Sequence, residues 1–223
     1  MLKINTPSLL TILFLFCTGS TIAQNIYTRN TWSERDKWQQ VPKILNAMGL
    51  QKGDVVADIG SHEGYMTFKF REKVGESGKV YAVDINKSRL NTLDGILDEK
   101  GIKNVETIHG DYDNPNLPEL SLDYAFIMDA YHEMDDYMDI LGHIKASLKQ
   151  DGKLVILEPI ADAHRTYSRE RQADKHDIGM DFVIDDLNKS GFKVIYQRDK
   201  FINRAPKKKD HLWIIVAVAK QDI

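Results

Sequence analysis

The residues best placed to do chemistry are carboxylates that follow short apolar runs. Asp58 comes after Val55-Val56-Ala57, and Asp84, twenty-six positions later, ends Val80-Tyr81-Ala82-Val83. Two glycines, Gly60 and Gly64, flank a tight turn between Asp58 and a helical pattern that begins at Tyr65. Asp111 and Asp129 fall at or just after the ends of two further apolar runs. Carboxylates in such positions accept hydrogen bonds from sugar hydroxyls and attract positive charge. They repel a pyrophosphate, and the G-x-G-x-x-G spacing that turns backbone amides toward one is absent. The ligand that suits these acids carries a sugar, a base and a cationic end.

A second set of groups can move protons. Tyr131-His132-Glu133 follows the fourth apolar run, and His132 is the first choice for a base or substrate-orienting group because its charge changes near neutral pH. Tyr131 either lines the reacting pocket or packs against the sheet. Glu133, Asp135 and Asp136 read as the acidic start of a helix. Glu158, His164, Arg165 and His176 form a further group, in which Arg165 reads as a surface residue. Asp129, His132 and Glu158 offer oxygen and imidazole donors. No local ligand spacing supports a metal among them, so none is assigned.

The elements that must position these groups alternate between strand and helix from Lys52 onward, the pattern of a parallel sheet with crossover helices. Strands are expected at Val55–Ile59, Lys79–Asp84, Val105–His109, Leu122–Met128 and Lys153–Glu158. Helices are expected at Tyr65–Val74, Lys87–Lys100, Tyr137–Leu148 and Asp181–Ser190. Phe192–Phe201 and His211–Ala219 read as an antiparallel hairpin closing one edge. The fold class is therefore α/β: a Rossmann-like seven-stranded sheet, mostly parallel with a C-terminal antiparallel hairpin, and helices on both faces. In such sheets ligands sit beyond the carboxyl ends of the strands, near the point where strand order reverses. The least structured stretch, Ile160 to Ile178, lies just past the fifth strand and suits a lid or substrate loop.

Ahead of the sheet, Trp32, Arg35, Trp38 and Gln39 share a helical face, and Val41, Ile44, Leu45 and Met48 continue a helix that Gly49 ends. Residues 24–51 read as a helical leader or lid over a domain spanning 52–223. The first 23 residues read as a secretory signal, with Lys3, a short apolar core from Leu9 to Cys17, and a Thr21-Ile22-Ala23 cleavage site. That core is shorter than the roughly 20 residues of a bilayer span. Cleavage would remove Lys3 and the single cysteine, leaving 29 of the 30 basic residues against 33 acidic ones, a charge of -4. The expectation is an exported, periplasmic protein without stable membrane insertion. A charge this close to neutral, with no basic stripe, gives no footprint for nucleic acid. The run Lys207-Lys208-Lys209 reads as a solvated hairpin tip.

The carriers of a family resemblance are Val55-Val56-Ala57-Asp58-Ile59-Gly60 with Gly64-Tyr65, Tyr81-Ala82-Val83-Asp84, Tyr131-His132-Glu133, Gly152 through Pro159, and Gly191-Phe192. Over roughly residues 51 to 219 the chain resembles the class I S-adenosylmethionine-dependent methyltransferases of small-molecule type, including an exported bacterial branch. The resemblance implies that Asp58 and the Gly60–Gly64 turn, with His62 and Tyr65, hold the methionine end of S-adenosylmethionine. It implies that Asp84, beside Ile85, accepts the ribose hydroxyls, that Asp111 and Tyr112 frame the adenine, and that Asp129 and Ala130 lie by the amine and sulfonium. The partner it implies is a small-molecule methyl acceptor. His62 departs from the family pattern, which usually has a glycine there. A non-catalytic adenosine-binding protein on the same fold is the alternative, and a nicotinamide-dependent reductase is disfavoured by the missing phosphate fingerprint. Acceptor identity and oligomeric state have no signature in the chain.

Overall fold

The structure, a computed structural model, describes residues 29–220. The expected signal and its cleavage site lie outside the described residues. Seven strands form one sheet in the order β3-β2-β1-β4-β5-β7-β6. They are β1 (Val55–Ile59), β2 (Lys79–Asp84), β3 (Val105–His109), β4 (Leu122–Met128), β5 (Leu148–Ile160), β6 (Phe192–Asn203) and β7 (His211–Ala219). The pairings are parallel except for β7, which runs antiparallel to both β5 and β6. The C-terminal hairpin thus inserts β7 into the sheet and leaves β6 at the edge.

Strand order reverses between β1 and β4, which pair as Asp58↔Phe126 and Ile59↔Ile127. Helices α3 (Tyr65–Val74) and α4 (Lys87–Glu99) leave β1 and β2 in one direction, and α5 (Tyr137–Ser147) leaves β4 in the other. A crevice opens above the carboxyl ends of β1 and β4 as a result.

Alternation along each strand divides the core. Val56, Val80, Phe126 and Val155 point to one face, where they meet Phe70 of α3 and Leu93 of α4. Ala57, Tyr81, Ile127 and Ile156 point to the other, where they meet Ile140, Leu141 and Ile144 of α5 and Val183 and Leu187 of α7 (Met180–Lys189). With apolar cover on both faces, the central strands carry near-continuous apolar runs rather than a polar alternation.

Four local features differ from the sequence expectation. The leader is two helices, α1 (Trp32–Gln39) and α2 (Val41–Met48), separated by Gln40 at φ 50. Pro42 lies in the first turn of α2, where its missing N–H costs nothing, whereas inside one continuous helix its ring would meet the carbonyl four residues earlier. Strand β5 begins at Leu148 rather than Lys153, with a register shift between the pairs Leu122↔Leu148 and Tyr124↔Lys153.

The stretch from Ile160 to Ile178 is not a free loop. It holds a 3-10 turn, Asp162–His164, and α6 (Arg169–Ala173). The fully buried Gln172 bonds through Nε2 to the carbonyls of His164, Arg165 and Tyr167, and through Oε1 to the Gly179 amide. Lastly, the lysine run folds as α8 (Ala205–Lys208), which turns Lys208 inward.

Candidate active site

A single cavity of about 720 Å³ lies above the carboxyl ends of β1, β2 and β4. Asp58, Gly60, His62, Tyr65, Asp84, Ile85, Asp111, Tyr112, Asp129 and Ala130 all line it, as does His132. Sequence positions spread over 75 residues therefore converge on one wall.

Asp58 is buried at the end of β1 and accepts a 2.6 Å hydrogen bond from Thr67 Oγ1 on α3. Burial pushes its carboxyl up to about 6, against the Thr67 bond and the pull of Arg35. Arg35 is the site residue that sequence reasoning placed only in a lid. Its guanidinium lies 4.1 Å from the centre of the Tyr65 ring, and it lines the cavity with Asp58. Trp32 packs edge-on against the same Tyr65, while Asp36 accepts from the Tyr65 hydroxyl at 2.8 Å. Helix α1 is thereby docked on α3, with Arg35 turned into the crevice.

The turn after β1 brings its backbone close to the loop after β4. Gly60 sits at φ 78, and a Cβ there would come within 2.8 Å of the Ala130 Cβ. His62 takes the left-handed conformation, φ 53, so the chain keeps the backbone that glycine would adopt most easily. Its amide donates to Asp84 Oδ2 at 2.9 Å. Burial, followed by the charge of Arg89, lowers the His62 imidazole below its ordinary range.

Asp84 does not cap α4. That role belongs to Asn86, whose side chain accepts from the Ser88 and Arg89 amides. Asp84 accepts instead from the amides of His62 and Asn86, one on each oxygen, which fixes the carboxylate at the cavity wall. Further out, Asp111 is held by Asn116 Nδ2 at 3.0 Å, and the exposed side chains of Ile85 and Tyr112 stand at the rim.

Asp129 has an environment the sequence did not disclose. It sits at φ 57 with its Oδ2 2.8 Å from Arg204 Nη1 and 3.5 Å from Lys208 Nζ. Arg204 is almost fully buried and also forks onto Asp210 at 2.7 and 2.8 Å. Burial alone would lower its affinity for a proton, but the two carboxylates hold Arg204 firmly charged. Lys208 is pushed down by burial despite Asp129 beside it. The hairpin tip therefore adds two cationic side chains, Arg204 and Lys208, to the cavity wall.

The other end of the cavity is rich in histidine. Glu158, fully buried on β5, accepts the amides of Ala130 at 2.7 Å and Tyr131 at 2.9 Å, and lies 2.6 Å from His132 Nδ1. Burial opposes the charged imidazole, but the Glu158 carboxylate outweighs it and raises His132 above its ordinary value. His164 pairs with Asp177, and His176 stands edge-on to His132 at 5.7 Å. The metal grouping weighed from sequence does not form, because Glu158 is spent on the turn at 130–132 and Asp129 on Arg204.

Two expected site residues lie off the cavity wall. Tyr131 is fully buried in the core and donates its hydroxyl to Asp186 Oδ2 of α7 at 3.0 Å. Gly64 opens α3 at φ 91, and a Cβ there would lie 2.8 Å from Leu93 Cδ1, so it serves the packing of α3 on α4. Arg165 pairs with Asp162 and Asp199 at the surface.

The arrangement can hold an amino-acid zwitterion between Asp58 and Arg35. It can accept sugar hydroxyls at Asp84, clasp a flat base at the rim, and present an imidazole to a second molecule. The acid set, and a glycine turn that a Cβ would obstruct, fit S-adenosylmethionine.

A model of the methyltransferase domain family matches residues 50–176, more than half of the chain. The chain is 32% identical over 122 residues to a demethylmenaquinone methyltransferase of Geobacillus sp. (strain WCH70), covering 55% of this chain and 51% of that protein. It thus spans about half the length of the curated relatives it matches. Among solved structures, an S-adenosylmethionine-dependent methyltransferase from Aquifex aeolicus aligns with a TM-score of 0.71 at 21% identity, over 87% of this chain and 95% of that one. Geranyl diphosphate C-methyltransferase from Streptomyces coelicolor, solved with S-adenosyl-L-homocysteine among its ligands, aligns at 0.65 and 12% identity, over 81% and 80% of the two chains. Those likenesses establish a shared fold, and the matched family establishes descent: the chain belongs to the methyltransferase domain family.

Proposed function

We propose that the chain transfers a methyl group from S-adenosylmethionine to a small or medium-sized acceptor. One observation carries the reading: Asp58, Arg35 and Asp84 line a single cavity whose far end holds His132. When bound, the donor supplies a methyl carbon already activated on a sulfonium. Asp58 and Arg35 bind the ammonium and carboxylate of its methionine end, Asp84 accepts from its ribose, and Ile85 with Tyr112 covers its base. Asp111, at the rim beside Tyr112, accepts from the exocyclic amine.

His132 orients the acceptor. Glu158 fixes the ring by occupying Nδ1, and so sets the position of Nε2 relative to the acceptor. Asp129, with its charge engaged by Arg204 and Lys208, adds little attraction for the sulfonium.

The acceptor of the curated relatives is not carried over to this chain. The matched segment ends at residue 176, whereas Arg204, Lys208 and Asp210 of the cavity wall lie beyond it. Export to the periplasm remains part of the proposal on the strength of the amino-terminal segment, and mass spectrometry of the mature terminus tests cleavage after Ala23. Among the described residues no helix is long and apolar enough to cross a membrane.

Calorimetric titration with S-adenosylmethionine and S-adenosylhomocysteine, followed by an acceptor panel, tests the function. Binding of both with methyl consumption supports it. Binding without turnover on any acceptor points to an adenosine-binding protein on the same fold.

A further inference from the structure

We propose that His132, Glu133 and His176 form a site for one divalent transition-type cation at the acceptor end of the cavity, with an open position for an oxygen or sulfur atom of the acceptor. The identity of the incoming molecule rests on the methyltransferase reading; the cation site itself does not.

The three donor atoms are gathered already. Glu133 Oε1 lies 3.8 Å from His132 Nε2 and 3.5 Å from His176 Nδ1, and all three lie within 4.8 Å of one another. Bonds of about 2.0–2.2 Å at near-tetrahedral angles put ligand atoms about 3.4 Å apart. Small rotations of Glu133 and His176, both exposed, close that difference.

A second, independent feature points the same way. The His132 side chain is 3% exposed, and its Nδ1 is engaged by the fully buried Glu158. A carboxylate on Nδ1 puts the proton there and the lone pair on Nε2, the nitrogen on the Glu133 side. This is the arrangement that orients metal-binding imidazoles and raises their basicity. Glu158 is held in turn by the Ala130 and Tyr131 amides, so the orientation is built into the sheet.

His176 is delivered from the stapled segment. Its neighbour Asp177 accepts from the Ala161 amide and pairs with His164, while Ile178 bonds to Pro159. Two imidazoles and one carboxylate favour zinc, iron or manganese over calcium or magnesium, and three ligands facing a cavity leave a fourth position open. A hydroxyl or thiol in that position has its pKa lowered and releases its proton to water.

The test is calorimetric titration of the untagged, chelator-treated full chain with Zn²⁺ alone and with Mn²⁺ alone. One equivalent of at least one ion is expected to bind, with Glu133→Gln and His176→Ala each weakening it at least about tenfold. Both residues are exposed, so these variants fold even if His132→Ala does not. No uptake of either ion, or uptake indifferent to both variants, overturns the site. S-adenosylhomocysteine binding is measured on the same preparation: its retention without metal uptake removes the cation site alone, and its absence with metal uptake removes the methyltransferase reading alone.

Discussion

Asp129 Oδ2 accepts a 2.8 Å hydrogen bond from Arg204 Nη1 across 75 residues of sequence. The contact ties the tip of the C-terminal hairpin to the loop after β4, and Arg204 completes it by forking onto Asp210. Arg204→Met would strip the guanidinium from two largely buried carboxylates, Asp129 and Asp210. A loss of about 3–5 kcal/mol of unfolding free energy is expected, the scale for stripping one partner from a buried ion pair. Urea denaturation measures it, and an unchanged midpoint would mean that the cluster contributes nothing.

Asp58 gives a pH signature with two opposite signs. Its carboxyl is raised from an ordinary 3.8 to about 6 by burial. The folded chain therefore keeps a proton that the unfolded chain has released between those values. The stability this contributes is complete below about 3.8 and is lost as pH rises through about 6. Donor binding runs the other way, because the ionised form attracts the ammonium. Affinity for S-adenosylmethionine is expected to fall about tenfold from pH 7 to pH 5. A flat profile over that range would separate Asp58 from the donor.

Glu158→Gln preserves shape but turns one acceptor oxygen into a donor facing either the Ala130 and Tyr131 amides or His132. The mismatch should cost about 1–3 kcal/mol of stability. Methyl transfer should slow while S-adenosylhomocysteine affinity stays put, since Glu158 acts through the turn that carries His132. Thermal unfolding and a donor titration on one preparation read both effects.

Gly64→Ala separates packing from ligand contact. The new Cβ would meet Leu93 in a left-handed backbone, at an expected cost of about 1–3 kcal/mol. Donor affinity should not change. A variant that folds normally and binds weakly would return Gly64 to the cavity wall.

Strand and helix bounds were legible where one local signal governs them. β1 to β4 and α3 run as the apolar pattern and flanking turns predict, and Asp58 and Asp84 stand at the strand ends as expected. What was hidden depends on contacts distant in sequence. Tyr131 could face either way from its loop, and Asp186 on α7 draws it into the core. Lys208 resembled a solvated charge until α8 turned it toward Asp129. Arg35 lay on a face with Trp32 and Gln39, but only the docking of α1 on Tyr65 brings it to the cavity. The break at Gln40 was readable from Pro42 and was masked by helical spacing that continues on both sides.

On the proposed function, acidic strand ends cradle a cationic, sugar-bearing donor, and Asp84→Ala removes one of those acids. Calorimetry should show one molecule of S-adenosylmethionine bound per wild-type chain and an affinity about 1–3 kcal/mol weaker in the variant, as expected for an unpaired hydrogen-bonding group in a buried site. Equal affinity in the two proteins, or no binding to the wild type at all, would contradict it.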